Sequence, residues 1–230
     1  MKRRAGRLGG GLVCLRMLQP EVAEFARVCA YDRAGVGWSD PRLGPRTSRV
    51  MAQELRTLLG NAGMALVDSS HPDQPRRIPE FERSCECRRR QIERERLLMP
   101  VGIPRLLGWC GNWYGTAMSG MQAALRSFDC TVRQKQGTLA EMAGSSESFA
   151  QAGATGSLGD LPLIVVSEAP SCPGATWVSA IWYPMQDELA LLSSRGARVN
   201  AQGSGHVIAL DRPDAAIAAI RDVVFRCRRQ

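Results

Sequence analysis

Short unbroken apolar runs, each closed by a loop of turn residues, constrain this chain most. The strongest is "LPLIVVS", residues 161–167, where Leu163, Ile164, Val165 and Val166 follow one another without alternation. A strand that is apolar on both faces needs cover on both sides, which parallel sheets with flanking helices supply. Two more runs have this character, "RVCAYD" at 27–32 and "MALVD" at 64–68, and "ARVNAQ" at 197–202 reads as a further short strand. Between and after them lie helical patterns. "QPEVAEFA" (19–26) has Pro20 in its first turn. "SRVMAQELRTLLGNAG" (48–63) sets Val50, Met51, Leu55, Leu58 and Leu59 on one face, with Thr47 or Ser48 as cap and Gly60 or Gly63 as stop. "MQDELALLSSRG" and "RPDAAIAAIRDVVFRCR" complete the set. Strands alternating with helices at both ends of the chain predict an α/β fold with a mostly parallel sheet and flanking helices.

The middle of the chain differs. "RRIPEFERSCECRRRQIERERLLM" mixes charges of both signs at helical spacing and is broken at Pro100 and Pro104. "YGTAMSGMQAALRSF" and "TLAEMAGSSESFAQAG" are further helices, and no strand pattern occurs there. The expected organisation is a core in two parts, 1–74 and 157–230, with a helical insertion at 75–156.

Composition narrows the function classes. With 230 residues and 44% hydrophobic content, the chain can build a core. Its net charge of +8 comes almost wholly from arginine. Aromatic residues make up 6% and do not interleave with the basic ones, so no specific nucleic-acid partner is expected. The eight cysteines, at 14, 29, 85, 87, 110, 130, 172 and 227, are scattered without zinc-knuckle spacing, and His71 and His206 are the two histidines. No metal or cofactor is expected, and most cysteines are expected to be reduced, without a disulfide framework. The start, "MKRRAGRLGGGLVCLRML", is interrupted by Arg7 and Arg16 and suits neither a secretion signal nor a membrane span. A cytoplasmic location follows as the default.

The motifs fit one family. "VCAYDRAGVGWSDP" (28–41) resembles the strand and loop of α/β-hydrolases of the esterase, epoxide-hydrolase and haloalkane-dehalogenase type. "GSGHVIALDRPDAAIAAIRDVV" (203–224) is similar to that family's C-terminal signature, and "LRTLLGNAG" and "ALVDSSHPDQP" look like further family segments. The resemblance covers residues 19–74 and 159–225, and the middle block stands where the family carries its cap. It implies that His206, flanked by Gly203 and Gly205, holds the place of the catalytic histidine, which follows a short strand and precedes a helix that begins at a proline. An acid should orient that imidazole. Asp68, after "MALV", is the favoured candidate, and Glu168, after "LPLIVVS", the alternative. Gly9 and Gly10 in "GRLGGG" stand where an oxyanion loop would lie.

The nucleophile is missing. The family's G-x-S-x-G elbow, a strained strand-to-helix turn, belongs between Gly63 and Met64, and no G-x-S-x-G occurs anywhere in the sequence. Ala62-Gly63 reads as the end of one family segment and the start of another, as though a strand, elbow and helix were lost. Cys110 in "GWCGNW" and Ser157 in "GSLGD" resemble an elbow only loosely, and Ser69 and Ser70 lack the glycines. The expectation is therefore an incomplete α/β-hydrolase fold with a helical cap, shortened at its start. Its substrate would be a small molecule with an ester or related bond, and its activity weak or absent. The alternative is a pseudoenzyme or binding module that uses the cap surface. A lost strand also leaves exposed sheet edges, through which copies could self-associate.

Overall fold

The computed structural model describes residues 18–37, 39–40, 44–56, 63–110, 123, 127, 129–169 and 178–229. At its centre is a parallel sheet of three strands in the order β1-β2-β3: β1 Met64–Val67, β2 Leu163–Ala169 and β3 Gly196–Gln202. Met64 pairs with Leu163 and Val67 with Val166, while Leu163 pairs with Gly196 and Ala169 with Gln202. Every residue of β2 is buried, which is why that run carries no polar alternation.

Helices cover both faces. Those described are, in chain order, α1 Gln19–Ala23, α2 Ser48–Arg56, α3 Gln74–Arg77, α4 Phe81–Leu98, α5 Ile103–Leu106, α6 Val132–Ala143, α7 Ser145–Gly153, α8 Tyr183–Ala190, α9 Ile208–Asp211 and α10 Pro213–Arg228. Ile164 and Val166 of β2 pack against Leu18, Val22 of α1 and Ala216, Ile217, Ala219 and Val223 of α10. Leu163 and Val165 point the other way, onto Leu189 and Ala190 of α8. Each such side chain contributes about 1.5–3 kcal/mol by leaving water. Gly63, just before β1, is needed for that packing: a Cβ there would lie 2.6 Å from Val223 and 2.8 Å from Cys227.

The strand expected at 27–32 does not form. Residues 27–33 have no assigned secondary structure. A strand needs a neighbour, and among the described residues none pairs with the outer edge of β1. The glycine loop that follows is instead held by α6. Arg33 makes a bidentate pair with Glu141, at 2.8 and 2.9 Å, and the Gly37 N–H donates to Gln134 Oε1 at 2.8 Å. A Cβ on Gly137 of α6 would clash with the Gly35 carbonyl, so the loop and helix meet backbone to backbone.

Between β1 and β2 every described element is helical. α2 takes N-terminal partners from this block: the Ser48 N–H donates to Ser148 Oγ and the Arg49 N–H to Gln151 Oε1. α4 and α6 share a buried ion cluster. Lys135 Nζ lies 2.9 Å from Glu95 and 3.0 Å from Asp129, with the Lys135 and Glu95 side chains 3% and 4% exposed. One cysteine pair departs from expectation. Cys110 and Cys130, 5.4 Å apart at Cα, are disulfide-bonded beside Met99 and Val132, because packing of that cluster brings their chains together. Cys29, Cys85, Cys87 and Cys227 are not disulfide-bonded. The helix expected at 114–128 falls almost wholly outside the described residues. Among the described residues no helix is long and apolar enough to cross a membrane.

Candidate functional site

In a parallel sheet every strand delivers its last residue to the same edge, and the loops there carry polar groups. Asp68 follows β1, Glu168 ends β2 and His206 follows β3. Asp68 still donates its N–H to the Val166 carbonyl (2.7 Å), then turns with φ +46°, a left-handed conformation that aspartate tolerates better than most residues. The histidine loop is tied back to β2. The Gly203 N–H donates to the Ala169 carbonyl at 2.8 Å, and the Ala169 N–H to the Ser204 carbonyl at 3.2 Å. The Gly205 N–H donates to Asp211 Oδ2 at 2.9 Å, which fixes the residue next to His206.

The result is a close contact. His206 Nδ1 lies 2.6 Å from Asp68 Oδ2. An ionised carboxylate only accepts, so Nδ1 carries the proton and Nε2 is the basic nitrogen. The Asp68 side chain is 0% exposed and that of His206 38%, so the acid is sealed while the imidazole reaches water. Asp68 is well served in its burial: its Oδ1 accepts from the Glu168 N–H at 2.9 Å and from the Trp182 indole N–H at 2.8 Å. Trp182 ends a π-helical turn, Val178–Trp182, that leads into α8. Gln186 of α8 donates to the Ser69 carbonyl at 2.9 Å and holds the loop beyond Asp68.

Of the two candidate acids, then, Asp68 contacts the imidazole, and Glu168 supports Asp68 through its backbone. The Glu168 carboxyl is itself pushed up to about 7, first by burial, then by the negative charges of Asp68 and Asp211 and against the opposing pull of His206. A proton thus resides on Glu168 at mildly acidic pH.

Of the remaining candidates, Ser69 and Ser70 follow Asp68 directly in the loop after β1. Gly9 and Gly10 lie outside the described residues. Cys110 has no thiol, being joined to Cys130. Ser157 precedes β2, and its Oγ donates to the Leu192 carbonyl. The seven residues of β2, about 20 Å of strand, separate its end of the sheet from the His206 end. His71, Asp73 and Glu188 place ligand-type atoms within 4.8 Å of one another. They form a closed hydrogen-bonded group: His71 Nδ1 accepts from the Asp73 N–H, and Glu188 is gripped by the Arg77 guanidinium at 2.6 Å. A cation there would have to displace Arg77 and face its charge.

Sequence reasoning missed Trp182 and the near-neutral Glu168. Trp182 lies in a stretch rich in proline and aromatic residues with no periodic signal, and the Glu168 environment exists only once three strand ends converge.

No protein-family model matches the chain, and no curated protein matches it in sequence. Among solved structures, a malate-bound thermophilic esterase from Thermogutta terrifontis is similar: TM-score 0.62 and 20% identity, over 94% of this chain and 86% of that one. The likeness is one of fold: a small parallel sheet with flanking helices.

Proposed function

We propose that the chain carries the acid–base half of an ester-hydrolysing site, with His206 oriented by Asp68, and lacks the serine that would complete it. The 2.6 Å contact between His206 Nδ1 and Asp68 Oδ2 carries this reading. Ester chemistry is inferred from the motifs together with the fold shared with an esterase. With no G-x-S-x-G in the sequence, Nε2 would activate water directly. Small esters are the substrate class, no cofactor enters, and the rate lies roughly 10⁶-fold below that of an intact triad. The core comprises 1–74 and 157–230, and 75–156 is a cap; the missing elbow unit belongs between Gly63 and Met64. A cytoplasmic setting is part of the proposal, as is pairing of copies through the outer edges of β1 and β3 wherever the chain self-associates.

A serine-reactive fluorophosphonate probe tests the missing nucleophile. The expected result is no stoichiometric adduct by mass spectrometry. Labelling of one serine, abolished by His206→Ala, would show that another residue has taken the role.

A second reading, a binding module that docks through its helical block, is favoured by one observation: large apolar side chains stand exposed there, at Leu97, Val101, Leu106, Leu107 and Trp109.

A further inference from the structure

Those five side chains crowd into one corner. Leu97 lies in the last turn of α4, Val101 in the turn after it, Leu106 ends α5, and Leu107 and Trp109 follow. Leu106 is 85% exposed and Val101 69%. The other large exposed apolar residues described, Tyr31, Leu191, Val199 and Phe225, lie far apart in sequence on different elements.

The corner is held in place from below. The Gly102 N–H donates to the Met99 carbonyl at 3.0 Å, the Arg105 N–H to Gly102 at 3.1 Å and the Trp109 N–H to Pro104 at 2.8 Å. Met99, Cys110 and Cys130 are buried beneath it, and Arg105 Nη2 reaches the Cys130 carbonyl at 3.3 Å. A built corner that leaves leucines in water has an unmet partner.

Charge says which partner. Arg90, Arg94, Leu97 and Val101 follow at spacings of four, three and four, which extends one basic stripe of α4 into the apolar corner. Between Arg76 and Arg105 nine arginines stand against five glutamates; Arg76 and Arg77 pair with Asp73 and Glu188, and Arg89 and Arg90 with Glu86, while Arg94, nearest the corner, is exposed. Leu106 is 85% exposed, more than a groove that held a peptide would leave it. A second copy docked across a two-fold axis would set the arginine stripe against itself. Nucleic acid would use the arginines and leave the leucines in water. An anionic bilayer uses both, taking guanidinium groups at its headgroups and Leu, Val and Trp at the acyl boundary.

We propose that this corner seats the protein on an anionic lipid surface, with Leu97, Val101, Leu106, Leu107 and Trp109 inserted and Arg90 and Arg94 on the headgroups. This rests on the docking reading of the helical block and does not require the Asp68–His206 pair.

The test is co-sedimentation of the full chain with vesicles of equal parts phosphatidylserine and phosphatidylcholine, beside vesicles of phosphatidylcholine alone. The chain should bind the mixed vesicles, and added salt should release it. Leu106→Asp with Leu107→Asp should lower binding at least about tenfold. Arg94→Glu should also lower it, and circular dichroism should show both variants folded. Equal binding to the two vesicle types, or unchanged binding by the leucine variant, overturns the proposal. Sedimentation velocity separates the two levels of failure. If vesicles stay unbound while wild type is a dimer that the leucine variant breaks, docking stands and lipid falls. If vesicles stay unbound and both are monomers, both fall.

Discussion

At the residue scale, Asp68 holds the site together. Its buried carboxylate takes the Glu168 N–H, the Trp182 indole and His206. Asp68→Ala leaves two buried donors without an acceptor and should cost about 2–4 kcal/mol in urea unfolding, whereas Asp68→Asn keeps an acceptor and should cost less. Glu168 gives a pH signature. Below pH 4.5 both folded and unfolded chains hold its proton; as pH rises towards about 7 the unfolded chain releases it and the folded chain keeps it. Stability from this group therefore falls across that window and levels off above it. Glu168→Gln removes the fall, so from pH 4.5 to pH 7 the variant should gain on wild type by on the order of 1 kcal/mol, after screening by water. Asp68 and His206 were legible because each stands one short step past a strand end in a motif. Trp182 and the Glu168 environment were not, since both depend on how separate strands and a π-turn meet.

At the scale of elements, the apolar runs at 64–68 and 161–167 read as strands because two faces of cover leave no room for polar alternation, whereas 197–202 alternates apolar and polar residues along a partly exposed strand. "RVCAYD" carries the same local signal and forms no strand, because strand formation is decided by a neighbour and not by the run itself. The helical block was legible in type but not in its interior. Charge at helical spacing reads as solvated pairing, yet Lys135 lies buried between Glu95 and Asp129. Lys135→Ala strands buried carboxylates and should destabilise the protein by about 3–5 kcal/mol in thermal or denaturant unfolding. Loss of an exposed pair such as Arg90–Glu86 should cost under about 1 kcal/mol. Equal effects would mean that the Lys135 cluster is hydrated in solution.

At the scale of the molecule, three parallel strands collect an acid, a second carboxyl and a histidine at one edge, while a helical block stands between β1 and β2 and holds the glycine loop through Arg33 and Glu141. The fold is similar to that of an esterase, and the sequence contains no G-x-S-x-G. Hydrolysis of p-nitrophenyl acetate under pre-steady-state mixing, by wild type and His206→Ala, puts that account to its most direct test. It predicts slow, linear release of nitrophenolate from the first turnover, falling to the buffer rate in the variant. A burst of one nitrophenolate per chain, followed by slower turnover, would reveal an acyl-enzyme and contradict it.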